Sequence, residues 1–393
     1  MAAETAAKAA PQAAADAAHP AATPRAGLLV DLASRNLAGS VVAANDELFA
    51  ERENLIRPEP STHVAGAFGP KGKLYDGWET RRRRDTGFDW AIVRLGAAGI
   101  VHGVIVDTAF FRGNYPPEIS VEATSVEGYP SPAELESAAW VTIVPRSPAA
   151  GDTENPYPVT DRRRWTHVRL CIYPDGGVAR FRVHGEVVPD PRFLLGTVDL
   201  VAMENGGRLV SCSDAFYSSP SNLILPGRAR VMGDGWENAR RRGPGNDHAV
   251  FSLAATGAIE HVEVDTSYFV GNAPGWVRLS AMDSRDTKLD EEDAWQEVIP
   301  RTAVQPDTRH RYRAGWGGLP AVPPTATHVR LDVYPDGGLA RLRIHGAVTA
   351  DGLEAAWHRW WDALPQPHRD RIAATGLTLA ELKRHSPDAQ NRP

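Results

Sequence analysis

The chain has 393 residues, 42% of them apolar and 23% charged, which is an ordinary balance for a folded protein and enough length for two domains. Its 43 Lys and Arg and 49 Asp and Glu give a net charge of −6, which argues against a nucleic-acid partner because phosphate binding depends on a positive field. The sequence has no run of 18 apolar residues, so we expect no membrane-spanning segment.

The N-terminal tail, residues 1–26, is rich in Ala and Pro. It lacks the apolar stretch of a secretory signal, so we predict that it is disordered. The chain contains two cysteines, Cys171 and Cys212, which fall at non-equivalent positions of the repeat described next. A disulfide framework would use more cysteines in matched positions, and we therefore expect a reducing, cytoplasmic location.

A duplication organises the rest of the chain. Three segments occur twice in nearly identical form: residues 76–84 and 234–242 (DGWETRRRR and DGWENARRR), 107–114 and 265–272 (DTAFFRGN and DTSYFVGN), and 173–177 and 334–338 (YPDGG in both). A period of roughly 160 residues is too long for a solenoid unit and is typical of two tandem domains. We predict domains at residues 27–195 and 196–349, followed by an extension at 350–393.

Alternating polarity predicts β-strands in both copies. Val168, Leu170 and Ile172 alternate with more polar residues, which is the pattern of a half-buried strand. The Pro-Asp-Gly-Gly sequence that follows favours a tight turn, and Phe181 and Val183 continue the alternation on a return strand. Many short strands with frequent turn signals predict an all-β fold, an antiparallel sandwich in each copy.

The C-terminal extension departs from this pattern. Its large apolar residues recur at helical spacing, namely Leu353, Ala356, Trp357, Trp360, Trp361 and Leu364. We predict a short helical appendage that packs its tryptophans on a domain or on a partner subunit.

Candidate chemical residues cluster in the first shared segment. Asp76 and Glu79 lie three residues apart in a turn-like stretch where their side chains can converge. Glu79 is the candidate acid or base, whereas Asp76 is equally suited to accept hydrogen bonds from backbone amides of the turn. Arg82 is able to bind a ligand carboxylate with its guanidinium group, or alternatively to pair with Glu79.

The second shared segment ends a predicted strand at Asp107 and continues as a loop with Arg112 and Asn114. The Asn114 amide offers both donor and acceptor to a ligand, or it caps a turn. Arg112 is replaced by Val270 in the second copy, so only the first copy has that cation. His184, at the end of the return strand, is either a proton carrier or a polar residue with a structural partner.

The second copy retains most of these residues as Asp234, Glu237, Arg240, Asp265, Asn272 and His345. The spacing of Cys and His does not suit zinc, and no phosphate-binding loop or nucleophile elbow is present. No cofactor is evident from the sequence, although a divalent metal is left open.

The duplicated DGWE-x-x-RRR segment, the DT-x-[FY]-F-x-GN loop and the YPDGG hairpin together resemble the allantoicase (allantoate amidinohydrolase) family over residues 27–349. The resemblance implies two jelly-roll β-sandwich domains of the galactose-binding-like type and a cytosolic homo-oligomer. It also implies the conversion of allantoate and water into ureidoglycolate and urea.

The roles that this reaction suggests are proton transfer by Glu79 with help from Asp107 and His184, and substrate binding by Asp76, Arg82, Arg112 and Asn114. The alternative is a non-catalytic tandem sandwich that binds carbohydrate or another small ligand, because a fold alone does not settle function. A site within one copy, between copies or across subunits is compatible with the sequence, and Arg112 nominates the first copy.

Overall fold

The structure, a computed structural model, describes residues 29–380 apart from 64–65, 67, 70–71, 74, 286–287, 316–318, 321–323 and 376–377. The predicted disordered tail, residues 1–26, lies outside the described residues, as does the end of the extension from residue 381 onward. In the described part of the chain, no helix is both long and apolar enough to cross a membrane.

The first repeat is built from short antiparallel strands and one short helix. They are β1 (Val30–Asp31), β2 (Ser40–Ala44), β3 (Phe68–Gly69), β4 (Gly72–Lys73), β5 (Trp78–Glu79), β6 (Asp89–Asp107), β7 (Glu118–Thr124), α1 (Pro132–Glu136), β8 (Val141–Pro148), β9 (Glu154–Pro158), β10 (Arg164–Tyr173), β11 (Gly177–Val178) and β12 (Arg180–Val187). Short 3₁₀ turns occupy Arg35–Leu37, Arg52–Ile56 and Pro191–Leu194.

The second repeat has the same plan and is followed by two helices. They are β13 (Thr197–Asp199), β14 (Arg208–Cys212), β15 (Asp247–Asp265), β16 (Trp276–Met282), β17 (Gln296–Ala303), β18 (Arg309–Arg313), β19 (Thr325–Tyr334), β20 (Arg341–Val348), α2 (Ala350–Ala363) and α3 (Gln366–Ala374). Its 3₁₀ turns are Met203–Asn205, Pro220–Ile224, Met232–Asp234 and Glu292–Ala294.

One long strand joins the two layers of each sandwich. The first half of β6 pairs with β2 and β10, and its second half pairs with β9 and β12, so the 19-residue strand runs from one layer into the other. The layers are therefore β2-β6-β10-β7-β8 and β9-β6-β12-β1. The second repeat copies this order around β15, which gives β14-β15-β19-β16-β17 and β18-β15-β20-β13.

The core follows from the alternation seen in the sequence. Val168, Leu170 and Ile172 are fully buried, as are Phe181 and Val183 on the facing layer. These side chains belong to one apolar cluster between the layers, which is the main source of stability because the burial of apolar surface drives sandwich formation. The predicted all-β fold of two tandem antiparallel sandwiches is confirmed. Both cysteines are free thiols, Cys171 buried and Cys212 half-buried.

The predicted helical appendage is also confirmed. Trp357 and Trp360 of α2 are buried and pack against Val188 of the first repeat. Arg359, on the same helix, donates a hydrogen bond to Glu186 at 2.7 Å. The appendage therefore covers the first repeat of its own chain.

A close approach of backbone to an aromatic ring explains the second glycine of each YPDGG segment. A Cβ placed on Gly177 would lie 2.1 Å from the ring of Phe111, and one on Gly338 would lie 1.9 Å from the ring of Phe269. Both rings are buried, so they have little room to move aside. Glycine is thus required here by packing.

We expect Gly177→Ala to destabilise the protein by about 1–3 kcal/mol, the usual cost of overpacking a tight interior. The free energy of unfolding from urea titrations checks this. Gly243→Ala is the control, because a Cβ at Gly243 meets nothing within 4 Å. Equal stability of the two variants would contradict the packing argument.

Candidate active site

A hydrogen bond between a carboxylate and an amide connects the shared segments at one end of the first repeat. The Asn114 side-chain nitrogen donates to Oε1 of Glu79 at 2.6 Å. The backbone carbonyl of Asn114 accepts a hydrogen bond from the backbone N–H of Gly177 at 2.7 Å. Glu79 also lies opposite Gly177 in the β5–β11 pair. Three segments that are far apart in sequence therefore meet at one carboxyl group.

The second repeat contains the same arrangement. The Asn272 side-chain nitrogen donates to Oε1 of Glu237 at 2.7 Å, and the Asn272 carbonyl accepts from Gly338 at 2.8 Å. One difference is that Asn272 also lies 3.3 Å from the thioether sulfur of Met232. Each repeat thus contains a hydrogen-bonded glutamate and asparagine, Glu79 with Asn114 and Glu237 with Asn272, which we call the acid–amide pair. The surroundings of the pair differ between the two copies.

Burial tunes the acid of the first repeat. Removal from water raises the pKa of the Glu79 carboxyl above its ordinary value, and the hydrogen bond from Asn114 offsets part of that rise because it favours the ionised form. A carboxyl group with a raised pKa remains protonated to a higher pH, which suits it to donate a proton.

Fixed contacts hold the segment that carries Glu79. The Trp78 side chain is fully buried, and its Nε1 donates to the Asp46 carbonyl at 2.7 Å. Further along, the Arg83 backbone N–H donates to the Asp175 carboxylate at 2.7 Å. Corresponding bonds occur in the second repeat, from Trp236 to Asp214 and from Arg241 to Asp336. Trp78 is therefore an anchor in the core.

The loop that carries Asn114 begins with an unusual backbone conformation. Phe110 has φ of 68°, and its counterpart Tyr268 has φ of 72°, which is strained for a large side chain. In each copy an aspartate side chain accepts from the backbone N–H of that residue at 2.8 Å, Asp152 for Phe110 and Asp307 for Tyr268. The same strained loop thus positions the amide in both repeats.

Asp76 has a structural partner. Its carboxylate accepts from Nη2 of Arg180 at 2.8 Å and from the backbone N–H of Thr62 at 2.9 Å. Although burial opposes ionisation, these bonds hold the pKa of Asp76 below its ordinary value. In the second repeat, Asp234 accepts instead from Arg230, and its backbone carbonyl accepts from Arg341 at 2.6 Å. The contacts favour the structural interpretation of Asp76.

Asp107 lies at the end of β6 and shapes the turn that follows. Its Oδ1 accepts from the backbone N–H of Ala109 at 2.8 Å, and Asp265 does the same for Ser267. Burial, with Glu154 nearby, raises the pKa of Asp107. Its neighbours on adjacent strands are Arg180 and Glu154, and no described contact joins it to Glu79.

Arg82 is available to a ligand. It is exposed, as is its counterpart Arg240, and neither makes an ion pair or side-chain hydrogen bond within the described part of the chain. The alternative pairing with Glu79 or Glu237 is therefore not seen. Arg82 lines an open groove of about 700 Å³, together with Asn45, Asp46, Arg81, Arg83, Arg84, Asp85 and Asp89.

Arg112, in contrast, is paired. Its Nε donates to the Asp152 carboxylate at 2.8 Å, on the same aspartate that supports Phe110. The arginine side chain is 79% exposed, so water competes with this ion pair and a ligand carboxylate could replace Asp152 at small cost.

The two histidines lie away from the acid–amide pairs. His184 stands opposite Gly103 on β6. It lies four residues along β12 from Arg180, and four residues of extended strand span about 13 Å. His345 stacks on His261 with ring centroids 4.4 Å apart. The structure therefore does not bring His184 and Glu79 together. Within the described residues, no group of three or more His, Cys, Asp and Glu is arranged to hold a metal ion.

His63 lies in a segment that the extra length of the first repeat predicts to be a loop over one edge of a site. Its ring stacks on Phe110 with centroids 5.4 Å apart. It belongs to a link of 20 residues from Ile56 to Asp76, whereas Ile224 and Asp234 are 10 residues apart. Part of this link lies outside the described residues.

The fold and site define a duplicated β-sandwich protein with one acid–amide pair in each copy. Residues 30–188 and 198–349 each match the family model described as the allantoicase repeat, and both ranges fall within the two predicted domains. The chain belongs to the allantoicase family.

Known relatives support this assignment. A probable allantoicase of Nocardia farcinica is 52% identical over 323 residues, which cover 81% of this chain and 94% of the relative. One from Streptomyces coelicolor is 49% identical and covers 82% of this chain and 86% of the relative. The crystal structure of allantoicase from Saccharomyces cerevisiae matches with a TM-score of 0.70 at 35% identity, over 81% of this chain and 92% of that one.

The acid–amide pair predicts a specific effect of pH on stability. Because the pKa of Glu79 is raised in the folded chain, its contribution to the free energy of unfolding falls as pH rises from the ordinary to the raised value. Asn114→Ala removes a bond that favours the ionised form, so the pKa should rise further and the fall should extend to higher pH. Urea titrations over a pH series measure this change.

The control is the same substitution in a Glu79→Gln background, where position 79 no longer titrates. There, Asn114→Ala should change the free energy of unfolding by the same amount at every pH. If the pH dependence of the Asn114→Ala effect is identical in both backgrounds, the bond does not tune Glu79.

Proposed function

We propose that this protein hydrolyses allantoate to ureidoglycolate and urea. The observation that carries the proposal is membership of the allantoicase family. Both repeats match the family model, and relatives with 52% and 49% sequence identity are named probable allantoicases. The acid–amide pair at Glu79 and Asn114, with Arg82 nearby in sequence and unpaired within the described residues, supplies groups that suit this substrate.

Allantoate has one carboxylate and two ureido groups on a single sp³ carbon. A guanidinium group suits the carboxylate because it can donate two parallel hydrogen bonds. An amide side chain can both donate to and accept from a ureido group. We assign carboxylate binding to Arg82, with Arg112 as a second cation that can exchange Asp152 for substrate. Asn114 is the ureido contact and also orients Glu79.

Glu79 is assigned both proton transfers. In the first step its protonated carboxyl donates to the leaving ureido nitrogen as the C–N bond breaks, which releases neutral urea and leaves a protonated imine. In the second step water adds to the imine carbon, and the Glu79 carboxylate accepts a proton from that water. The product is ureidoglycolate, and Glu79 returns to its protonated form. The raised pKa of Glu79 favours the first step.

We assign the reaction to the first repeat. The Glu79 pKa is raised by burial, and Arg112 gives this copy a cation where the second has Val270. Asp107 and His184 are assigned supporting roles outside the proton-transfer step, since neither has a described contact with Glu79. In the second repeat, Glu237 and Asn272 are in contact with each other, and Met232 lies beside Asn272.

We also propose a cytoplasmic homo-oligomer. The family resemblance supports this, and the two unpaired cysteines are compatible with a reducing compartment. Size-exclusion chromatography with light scattering measures the oligomeric state directly.

The competing interpretation is a tandem sandwich that binds carbohydrate without catalysis. A coupled assay of urea release from allantoate by the purified protein separates the two. Release of urea at a rate proportional to protein supports hydrolysis. No release, together with retention on a carbohydrate affinity column, would support the binding interpretation.

Glu79→Gln should fold normally and lower kcat by at least about 10²-fold, because a proton-transfer group usually contributes that much. In the wild type, kcat should fall as pH rises through the raised pKa of Glu79, since the acid form is then lost. Urea release against pH measures both effects. Glu237→Gln is the matched variant of the other repeat, and near-wild-type kcat in Glu79→Gln would refute the assignment.

Arg82→Met should raise KM for allantoate by about 10- to 100-fold, in keeping with the loss of a hydrogen bond between charged groups. Its exposure makes a folding defect unexpected, and circular dichroism checks that point. Arg240→Met, the counterpart in the second repeat, reports which copy binds substrate. An unchanged KM in Arg82→Met with a raised KM in Arg240→Met would move the reaction to the second repeat.

A further inference from the structure

A cleft of about 580 Å³ lies between the two repeats, away from the acid–amide pairs. The first repeat contributes Ile105, Glu154 and His184 from the outer face of its β9-β6-β12-β1 layer. The second contributes Arg208, Ser219 and Ser221 from its N-terminal part. Neither repeat alone forms this space, and its volume is within the range of about 300–1,000 Å³ usual for small-molecule sites.

Comparison of the two repeats shows why the space exists. In the second repeat, the position opposite His345 is His261, and the two rings stack 4.4 Å apart. In the first repeat, the position opposite His184 is Gly103, which has no side chain to fill the gap. The first copy therefore lacks a ring that stacks on its histidine.

A charged contact is also absent from the first repeat. Glu263 of the second repeat is paired with Arg309 and Arg311 on the neighbouring strand. The matched position of the first repeat is Ile105, and the strand beside it provides Glu154. The ion-pair network on the second copy is thus replaced in the first by the apolar Ile105, with Glu154 on the strand beside it.

Two charged side chains in the cleft lack partners within the described part of the chain. Arg208 and Glu154 are exposed, and no described ion pair or side-chain hydrogen bond engages either. By contrast, the adjacent Arg182 is occupied by Asp31 and by backbone carbonyls. The cleft therefore presents one unpaired cation from the second repeat and one unpaired anion from the first.

We propose that this cleft binds a small carboxylate that also carries N–H donors. The carboxylate would bind to the Arg208 guanidinium group of the second repeat. The N–H donors would bind to the Glu154 carboxylate of the first repeat, with Ile105 against the carbon skeleton. Such a ligand would contact both repeats at once. The site is separate from Glu79, and the proposal does not depend on the activity proposed above.

Isothermal titration calorimetry of full-length Arg82→Met protein with N-carbamoylglycine tests the proposal, because this background removes the guanidinium group assigned to carboxylate binding near Glu79. We expect saturable binding that falls by at least about tenfold when Arg208→Met is added, the usual scale for a lost charge-assisted hydrogen bond. Glu154→Gln should weaken binding as well. Arg228→Met, which changes another exposed arginine outside the cleft, is the matched control.

Glycine and acetate as further probes identify the donor group. Tighter binding of N-carbamoylglycine indicates a ureido ligand, and tighter binding of glycine indicates an ammonium ligand. Equal binding of acetate would overturn the role of the N–H donors. Equal affinities in Arg208→Met, Arg228→Met and the Arg82→Met parent would overturn the site itself, as would the absence of binding at millimolar probe. Urea release by the wild type is unaffected by any of these outcomes, so the two proposals fail separately.

Discussion

The hydrogen bond between Asn114 and Glu79 is the contact on which the site depends. A buried carboxyl group is costly unless it is hydrogen-bonded, and this amide donor is what permits Glu79 to be withdrawn from water. Because the Asn114 backbone also accepts from Gly177, the same residue ties the loop, β5 and the hairpin turn together. The burial that results raises the pKa of Glu79, so the packing of three segments becomes a chemical property.

Because the asparagine–glutamate hydrogen bond occurs in both repeats, the two copies share a framework, although the residues around it differ. Asn272 and Glu237 repeat the bond, whereas Val270 stands where the first copy has Arg112. A second divergence lies on the outer face of the sheet, where Gly103 of the first repeat corresponds to His261. We propose that the first difference affects substrate binding near Glu79, and the second leaves space in the cleft between the repeats.

Much of the fold was predictable because it rests on local patterns. The alternation at Val168, Leu170 and Ile172 predicted a strand, and the spacing of the tryptophans in the extension predicted a helix. The use of β6 in both layers was not predictable, since a 19-residue strand shows its bend only through its partners. For the site, the repeated residues identified Glu79 and Asn114 separately. Their contact spans 35 residues, and the Asp76–Arg180 bond spans 104, distances over which sequence alone does not define pairing. The isolation of His184 from Glu79 depends in the same way on strand register.

A crystal structure of Glu79→Gln protein with allantoate bound would show which repeat holds the substrate. We expect allantoate in the first repeat, with a ureido nitrogen within hydrogen-bonding distance of the side chain at position 79, its other ureido group at Asn114 and its carboxylate at Arg82. Allantoate bound only in the second repeat, or only in the cleft between the repeats, would contradict the assignment of the reaction to Glu79.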